Sequence, residues 1–157
     1  MIVYRLANKD YINDKDGVGA KLFGGRWNAI NTPCIYTSEH ISLALLEKFI
    51  HAKVAENMQN IALLKIELPD DESLFHVDSK KLKQSWAYDF DYTQWLGEQL
   101  LEDQSILAFS VPSAIIPEER NIIINPLSKR FKESKFKEIC DFTTDYRLLG
   151  KLINSKI

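Results

Sequence analysis

Cysteine is scarce in this chain: two residues, Cys34 and Cys140, in 157. That is too few for a disulfide framework or a cysteine-built metal site. Both sit among apolar neighbours, where a free cysteine behaves as a small buried hydrophobe. A reduced, cytoplasmic compartment is the expectation that follows. No apolar run reaches the roughly 18 residues that a membrane span needs. The opening Met1-Ile2-Val3-Tyr4-Arg5 offers no basic segment, apolar core or cleavage site, so no signal peptide is expected. A basic excess is missing too. The net charge is −2, and the densest basic stretches, at residues 80–83 and 129–132, are short and followed by acids, as solvated faces are. Nucleic acid is therefore not expected as a direct partner. The chain also lacks His-Glu-x-x-His, Cys-x-x-Cys, Gly-x-Ser-x-Gly and P-loop motifs. His40, His51 and His76 show no pattern of partners, so neither a metal nor a serine triad is expected.

What is present is an ordinary globular composition, 45% apolar and 27% charged, at a length that fits one domain over residues 1–157. Strands are predicted at residues 2–6, 34–37, 61–68, 74–77, 105–111 and 121–125. A helix is predicted over Ile41–Glu56, with Ser38 as N-cap and Leu43, Leu46, Ile50 and Val54 on one apolar stripe. A second helix is predicted around Thr93–Leu101, interrupted by Gly97. The tail should add a strand over Phe136–Phe142 and a final turn over Tyr146–Leu152; residues 78–92 stay open between helix and strand. Short strands mixed with few helices indicate an α+β domain with small mixed sheets. Between the first two strands lies a polar loop of more than 20 residues, a length that is usually functional or disordered. It holds Gly17, Gly19, Gly24 and Gly25, four of the six glycines. Phe23 and Trp27 in the same stretch favour an ordered, ligand-facing loop.

Five side chains could carry chemistry. Glu47 falls on the apolar stripe of the first helix, where a carboxylate costs stability unless it is paired or used; a stripe-edge Glu reaching water or an arginine is the plainer reading. Arg26 lies in Gly24-Gly25-Arg26-Trp27-Asn28. Glycines let backbone approach a ligand and arginine binds phosphate oxygens bidentately, but a tight turn with Trp27 in the core and Arg26 paired to an acid explains the run equally well. Arg5 near the end of an apolar strand is either a structural ion-pair member or a ligand contact. Tyr36 reads locally as a core aromatic, and Ser113, between Pro112 and Pro117, as a turn serine.

The order and spacing of these residues narrow the choice. Tyr4-Arg5, Gly17-Val18-Gly19-Ala20, Gly24-Gly25-Arg26-Trp27-Asn28, Tyr36-Thr37-Ser38 and Leu43-Ala44-Leu45-Leu46-Glu47 together resemble the RES-domain family, the toxin half of Xre–RES toxin–antitoxin pairs. The likeness continues through Thr93-Gln94 with Gly97, Val111-Pro112-Ser113-Ala114, Asn121-Ile122-Ile123-Ile124-Asn125-Pro126 and Asp145-Tyr146-Arg147-Leu148. It is thin over residues 69–92, and Tyr146 stands where the family pattern has proline.

The resemblance implies an ADP-ribosyltransferase-like fold and consumption of NAD, by hydrolysis or phosphorolysis, or by ADP-ribosylation of a protein. NAD would be substrate, with no metal. It implies catalytic roles for Glu47, Arg26, Tyr36 and Ser113, and dinucleotide contacts from Tyr4, Arg5, Arg26, Asn28, Tyr36 and Ser113. It further implies an Xre-type helix-turn-helix antitoxin as partner, with oligomerisation in that complex. The chemistry suits these residue types. A pyrophosphate suits arginine donors, and the flat nicotinamide cation suits an aromatic face such as Tyr36. A carboxylate such as Glu47, nearer the ribose than the pyridinium, stabilises the oxocarbenium-like transition state more than the ground state. Ser113 reads as a positioning hydroxyl, since no base is evident beside it. A non-catalytic partner-binding module on the same fold is the alternative from another class.

Overall fold

Ile61–Glu67 (β3) is apolar at almost every position, the pattern of a strand covered on both faces. In the computed structural model, which describes residues 1–52 and 55–154, that is its situation. Ala62, Leu64 and Ile66 enter one core layer, while Ile61 and Leu63 pack in clusters on the other side. β3 pairs antiparallel with Ile2–Asn8 (β1) on one flank and with Lys135–Phe142 (β7) on the other. Ile35–Ser38 (β2), Leu74–His76 (β4), Ala108–Pro112 (β5) and Arg120–Ile124 (β6) complete one seven-stranded sheet in the order β4-β5-β6-β2-β1-β3-β7. Every pairing is antiparallel except β4 with β5, which makes the sheet mixed and the fold α+β. The strands expected as small sheets are thus joined in one.

Alternation along the central strands feeds two layers. Ile122 and Ile124 of β6 join Val3, Ile35 and Ala108 in one; Ile123 joins Trp27, Cys34, Phe109 and Val111 in the other. Two helices cover this second face. Phe90–Glu102 (α3) contributes Leu100 and Leu101 to the cluster around Trp27. Ile41–His51 (α2) lays Ala44 against Leu6 and Leu63 of β1 and β3. The site lies between them.

Several expectations are corrected. α2 stops at His51, with Ala52 as C-cap, and Ala55–Met58 is a separate 3₁₀ turn; Val54 lies outside the described residues. Its N-cap is His40, because the Ser38 hydroxyl is already committed to Asn121 at 2.7 Å. The buried face is set by Leu43 and Ala44, and Ile50, placed on the apolar stripe, is 63% exposed. The long loop contains a six-residue helix, Val18–Phe23 (α1), that buries none of its side chains and so shows no apolar period; Phe23 itself points to solvent. β5 begins at Ala108, because Asp103 accepts from the N–H and hydroxyl of Ser105 and turns the chain there. The tail ends in a helix, Tyr146–Asn154 (α4), and not a turn. Residues 78–92 resolve into two 3₁₀ turns, Ser79–Lys81 and Trp86–Tyr88, followed by the start of α3.

Candidate functional site

A cavity of about 780 Å³ opens between α2, the start of α3 and the glycine-rich loop, with β1 and β2 behind it. This lies within the range of roughly 300–1,000 Å³ typical of small-molecule sites. Tyr4, Arg5, Arg26, Tyr36 and Glu47 all line it.

Glu47 projects from α2 and is held from the far side. Its Oε1 accepts from the Ser113 hydroxyl at 3.0 Å and from Asn121 Nδ2 at 2.6 Å. Ser113 is in turn fixed because its oxygen accepts from the backbone N–H groups of Ile115 and Ile116. Asn121 is fixed by the Ser38 hydroxyl. Both donors therefore act on one carboxylate oxygen. Among the described residues Oε2 makes no hydrogen bond; His51 Nε2, one helical turn on, lies 3.9 Å from it.

The glycine-rich loop is built around Tyr36. Its hydroxyl donates to Asn28 Oδ1 at 2.7 Å and accepts the Trp27 N–H at 3.0 Å. Asn28 spends its amide on the carbonyls of Ala20 and Thr32. Gly25 has to be glycine here, since a Cβ would lie 2.6 Å from the Tyr36 hydroxyl oxygen. Gln94 of α3 donates to the Gly25 carbonyl at 2.8 Å, which ties the loop to the helix. Burial pushes the Tyr36 hydroxyl pKa well up, and burial pushes the Cys34 thiol beside it up to about 12.

The two readings of the Gly-Gly-Arg-Trp run each describe one residue. Trp27 plugs the core, 2% exposed and 5.9 Å from the Trp86 ring. Arg26 faces the cavity, over the ring of Phe90 at 4.7 Å, and donates to the Ala87 carbonyl at 2.5 Å. Among the described residues it pairs with no acid, and neither does Arg5. Unpaired guanidinium groups facing a cavity make it receptive to anions.

Two of the expected site residues lie behind the cavity wall. Asn28 is fully buried with its amide satisfied by the protein, so it shapes the loop and does not line the cavity. Ser113 is also fully buried and reaches the cavity only through Glu47. Sequence reasoning missed Asn121, Phe90 and Lys48, which line the cavity. A polar residue just ahead of the apolar run 122–124 of β6 was the available signal for the first; for Phe90 and Lys48 there was none. Among the described residues, no group of three or more His, Cys, Asp or Glu could hold a metal ion, and no helix is long and apolar enough to cross a membrane.

Comparison with known proteins gives the family. A toxin named Toxin Res from Photorhabdus laumondii is 35% identical over 152 residues, covering 95% of this chain and 97% of that one. A protein of a Sphingobium species named Prs ADP-ribosylating toxin is 31% identical, covering 88% of this chain and 89% of its own. The fold matches a solved structure, the Mycobacterium tuberculosis MbcT–MbcA toxin–antitoxin complex, with a TM-score of 0.75 at 20% identity over 96% of this chain and 87% of that one. The RES domain family model matches residues 2–147, and the chain belongs to that family.

Proposed function

We propose that this chain is the toxin of a toxin–antitoxin pair and cleaves the nicotinamide–ribose bond of NAD in the cytoplasm. The observation that carries the reading is Glu47. One of its oxygens is locked by Ser113 and Asn121, the other makes no hydrogen bond among the described residues, and the residue lines a cavity that unpaired arginines also line. In this reading the C1′–N bond breaks, nicotinamide leaves with the electron pair, and positive charge moves onto the ribose. Water or phosphate then adds at C1′ and loses a proton. A carboxylate at ~4 Å and an effective dielectric of ~20 interacts with that charge by ~4 kcal/mol. This is a ceiling of about a thousandfold in rate, of which only the part absent from the ground state counts. Preorganisation by Ser113 and Asn121 supports the assignment, because the carboxylate need not reorient when charge develops.

The test is to incubate the purified protein with NAD, with and without phosphate, and to measure nicotinamide, ADP-ribose and its 1-phosphate. Glu47→Gln should lower the rate by about 100-fold or more. Intact NAD with the wild type overturns the reading, and full activity of the variant removes Glu47 from the mechanism.

A second reading, ADP-ribosyl transfer to a protein, is favoured by the name of the Sphingobium relative. It uses the same residues and differs in the nucleophile. Label from NAD appearing on a protein band would select it. The partner proposed is an Xre-type helix-turn-helix antitoxin, forming an oligomer with the toxin; the relative solved as a toxin–antitoxin complex supports a partner of that role. Co-expression with the neighbouring reading frame, followed by size-exclusion chromatography, tests it.

A further inference from the structure

Arg26 is served by one set of neighbours, Ala87, Trp86 and Phe90, on the α3 side of the cavity. The β1–α2 side carries two further cations. Arg5 from β1 and Lys48 from α2 both line it. Among the described residues the Lys48 ammonium makes no hydrogen bond or ion pair, and the Arg5 guanidinium makes one long contact, to the Tyr11 carbonyl at 3.4 Å. Burial lowers the Lys48 pKa, and the positive charge of Arg5 lowers it further. Of the acids lining this side, Glu47 of α2 is held by Ser113 and Asn121, and Asp14 is committed elsewhere. Its Oδ1 accepts from Val18 N at 3.0 Å and its Oδ2 from Gly19 N at 2.9 Å, which fixes the start of α1 and leaves Asp14 to act on Arg5 only at longer range.

Two half-buried like charges without partners destabilise a fold. A lysine with no task here could extend its ammonium into water with its stem packed below, yet Lys48 faces the cavity beside Arg5. A phosphate oxyanion would satisfy both, taking bidentate donation from the guanidinium and a point charge from the ammonium. We infer that Arg5 and Lys48 together form a phosphate-binding subsite on the β1–α2 side of the cavity, with Lys48 the residue that selects phosphate-bearing ligands. The inference deepens the proposed function and rests on it for the ligand. The phosphate is either carried by the dinucleotide or free in solution.

The test measures binding without turnover. Calorimetry is run with ADP and with inorganic phosphate on wild type, Lys48→Met (which keeps the stem) and Lys48→Arg (which keeps the charge). Lys48→Met should bind ADP about tenfold or more weakly and Lys48→Arg within about threefold of wild type. Lys48-dependent binding of inorganic phosphate assigns the subsite to the free ion as well; Lys48-dependent binding of ADP alone assigns it to the dinucleotide. Equal ADP affinity in wild type and Lys48→Met overturns the inference. The unligated Lys48→Met protein should melt at or above the wild-type temperature, because a desolvated charge beside Arg5 has been removed. If it melts lower, the wild type alone decides: ADP affinity that stays flat from about 50 mM to about 500 mM salt also overturns the subsite. A protein that binds ADP through Lys48 and leaves NAD intact keeps the subsite and loses the reaction.

Discussion

Ser113 donates its hydroxyl to Glu47 Oε1 across 3.0 Å while accepting two backbone N–H groups, from Ile115 and Ile116, on the same oxygen. One buried side chain thus ends β5, shapes the turn after it and aims the carboxylate of another element. Ser113→Ala removes all three functions. Two N–H groups lose their acceptor, which should cost about 1–3 kcal/mol in denaturant unfolding. Glu47 keeps Asn121 but loses its second donor, so the carboxylate can swing; kcat should fall by about 10- to 100-fold with KM changed much less. Turnover indistinguishable from wild type would return Ser113 to the role of a turn serine.

How far this arrangement could be read in advance differs from residue to residue. Glu47 stood out because a carboxylate on an apolar helical stripe needs a reason, and the structure supplies one in Ser113 and Asn121. Strand positions were legible because residues 61–64 of β3, Ala108 and Phe109 of β5 and residues 122–124 of β6 are unbroken apolar runs buried on both faces. α1 was not, since none of its side chains is fully buried and the contact of Ala20 with the core leaves no period to find. The direction of Asn28 was not legible either. Only the fold shows that its amide is consumed by Ala20, Thr32 and Tyr36, so a residue two positions from a cavity-facing arginine turns inward. Gly97 is the converse case. It weakened the helix prediction as a poor helix former, and tertiary contact overrides that propensity.

At Gly97 the α3 backbone touches the backbone of the glycine-rich loop, and a Cβ would fall 1.7 Å from the Trp27 carbonyl oxygen. The obstacle is main chain, and no rotamer change can relieve it. Gly97→Ala should therefore force α3 away from Trp27 and loosen the Gln94 contact to Gly25 as well. Overpacking of this kind costs about 1–3 kcal/mol or more, against a gain of about 1 kcal/mol in helix propensity. The expected outcome is a lower melting temperature by calorimetry together with weaker ligand binding at the cavity; a variant as stable as wild type would contradict the close approach.

The buried pair Cys34 and Tyr36 sets the response of the protein to alkali. Burial raises the Cys34 thiol from 9.0 to about 12, and burial followed by the neighbouring thiol raises the Tyr36 hydroxyl well above 10.0. Both groups then hold protons in the folded state at pH values where the unfolded chain has released them. Their contribution to stability is complete below about pH 9 and is lost as pH rises toward the folded values. Between about pH 9 and pH 10 the thiol acts ahead of the lysines, whose ordinary value is 10.5. Unfolding free energy in this window should fall by up to about 1.4 kcal/mol per pH unit, the value for one proton. Urea midpoints measured at successive pH values should show the decline, and Cys34→Ala should flatten it while leaving the steeper loss above pH 10, where Tyr36 joins. Because Tyr36 braces the loop that carries Arg26, ligand binding should fail over the same upper range. A midpoint that stays constant between about pH 8 and pH 10 would mean that the unfolded and folded thiols titrate alike, and the cavity wall at Cys34 would then have to be open to water.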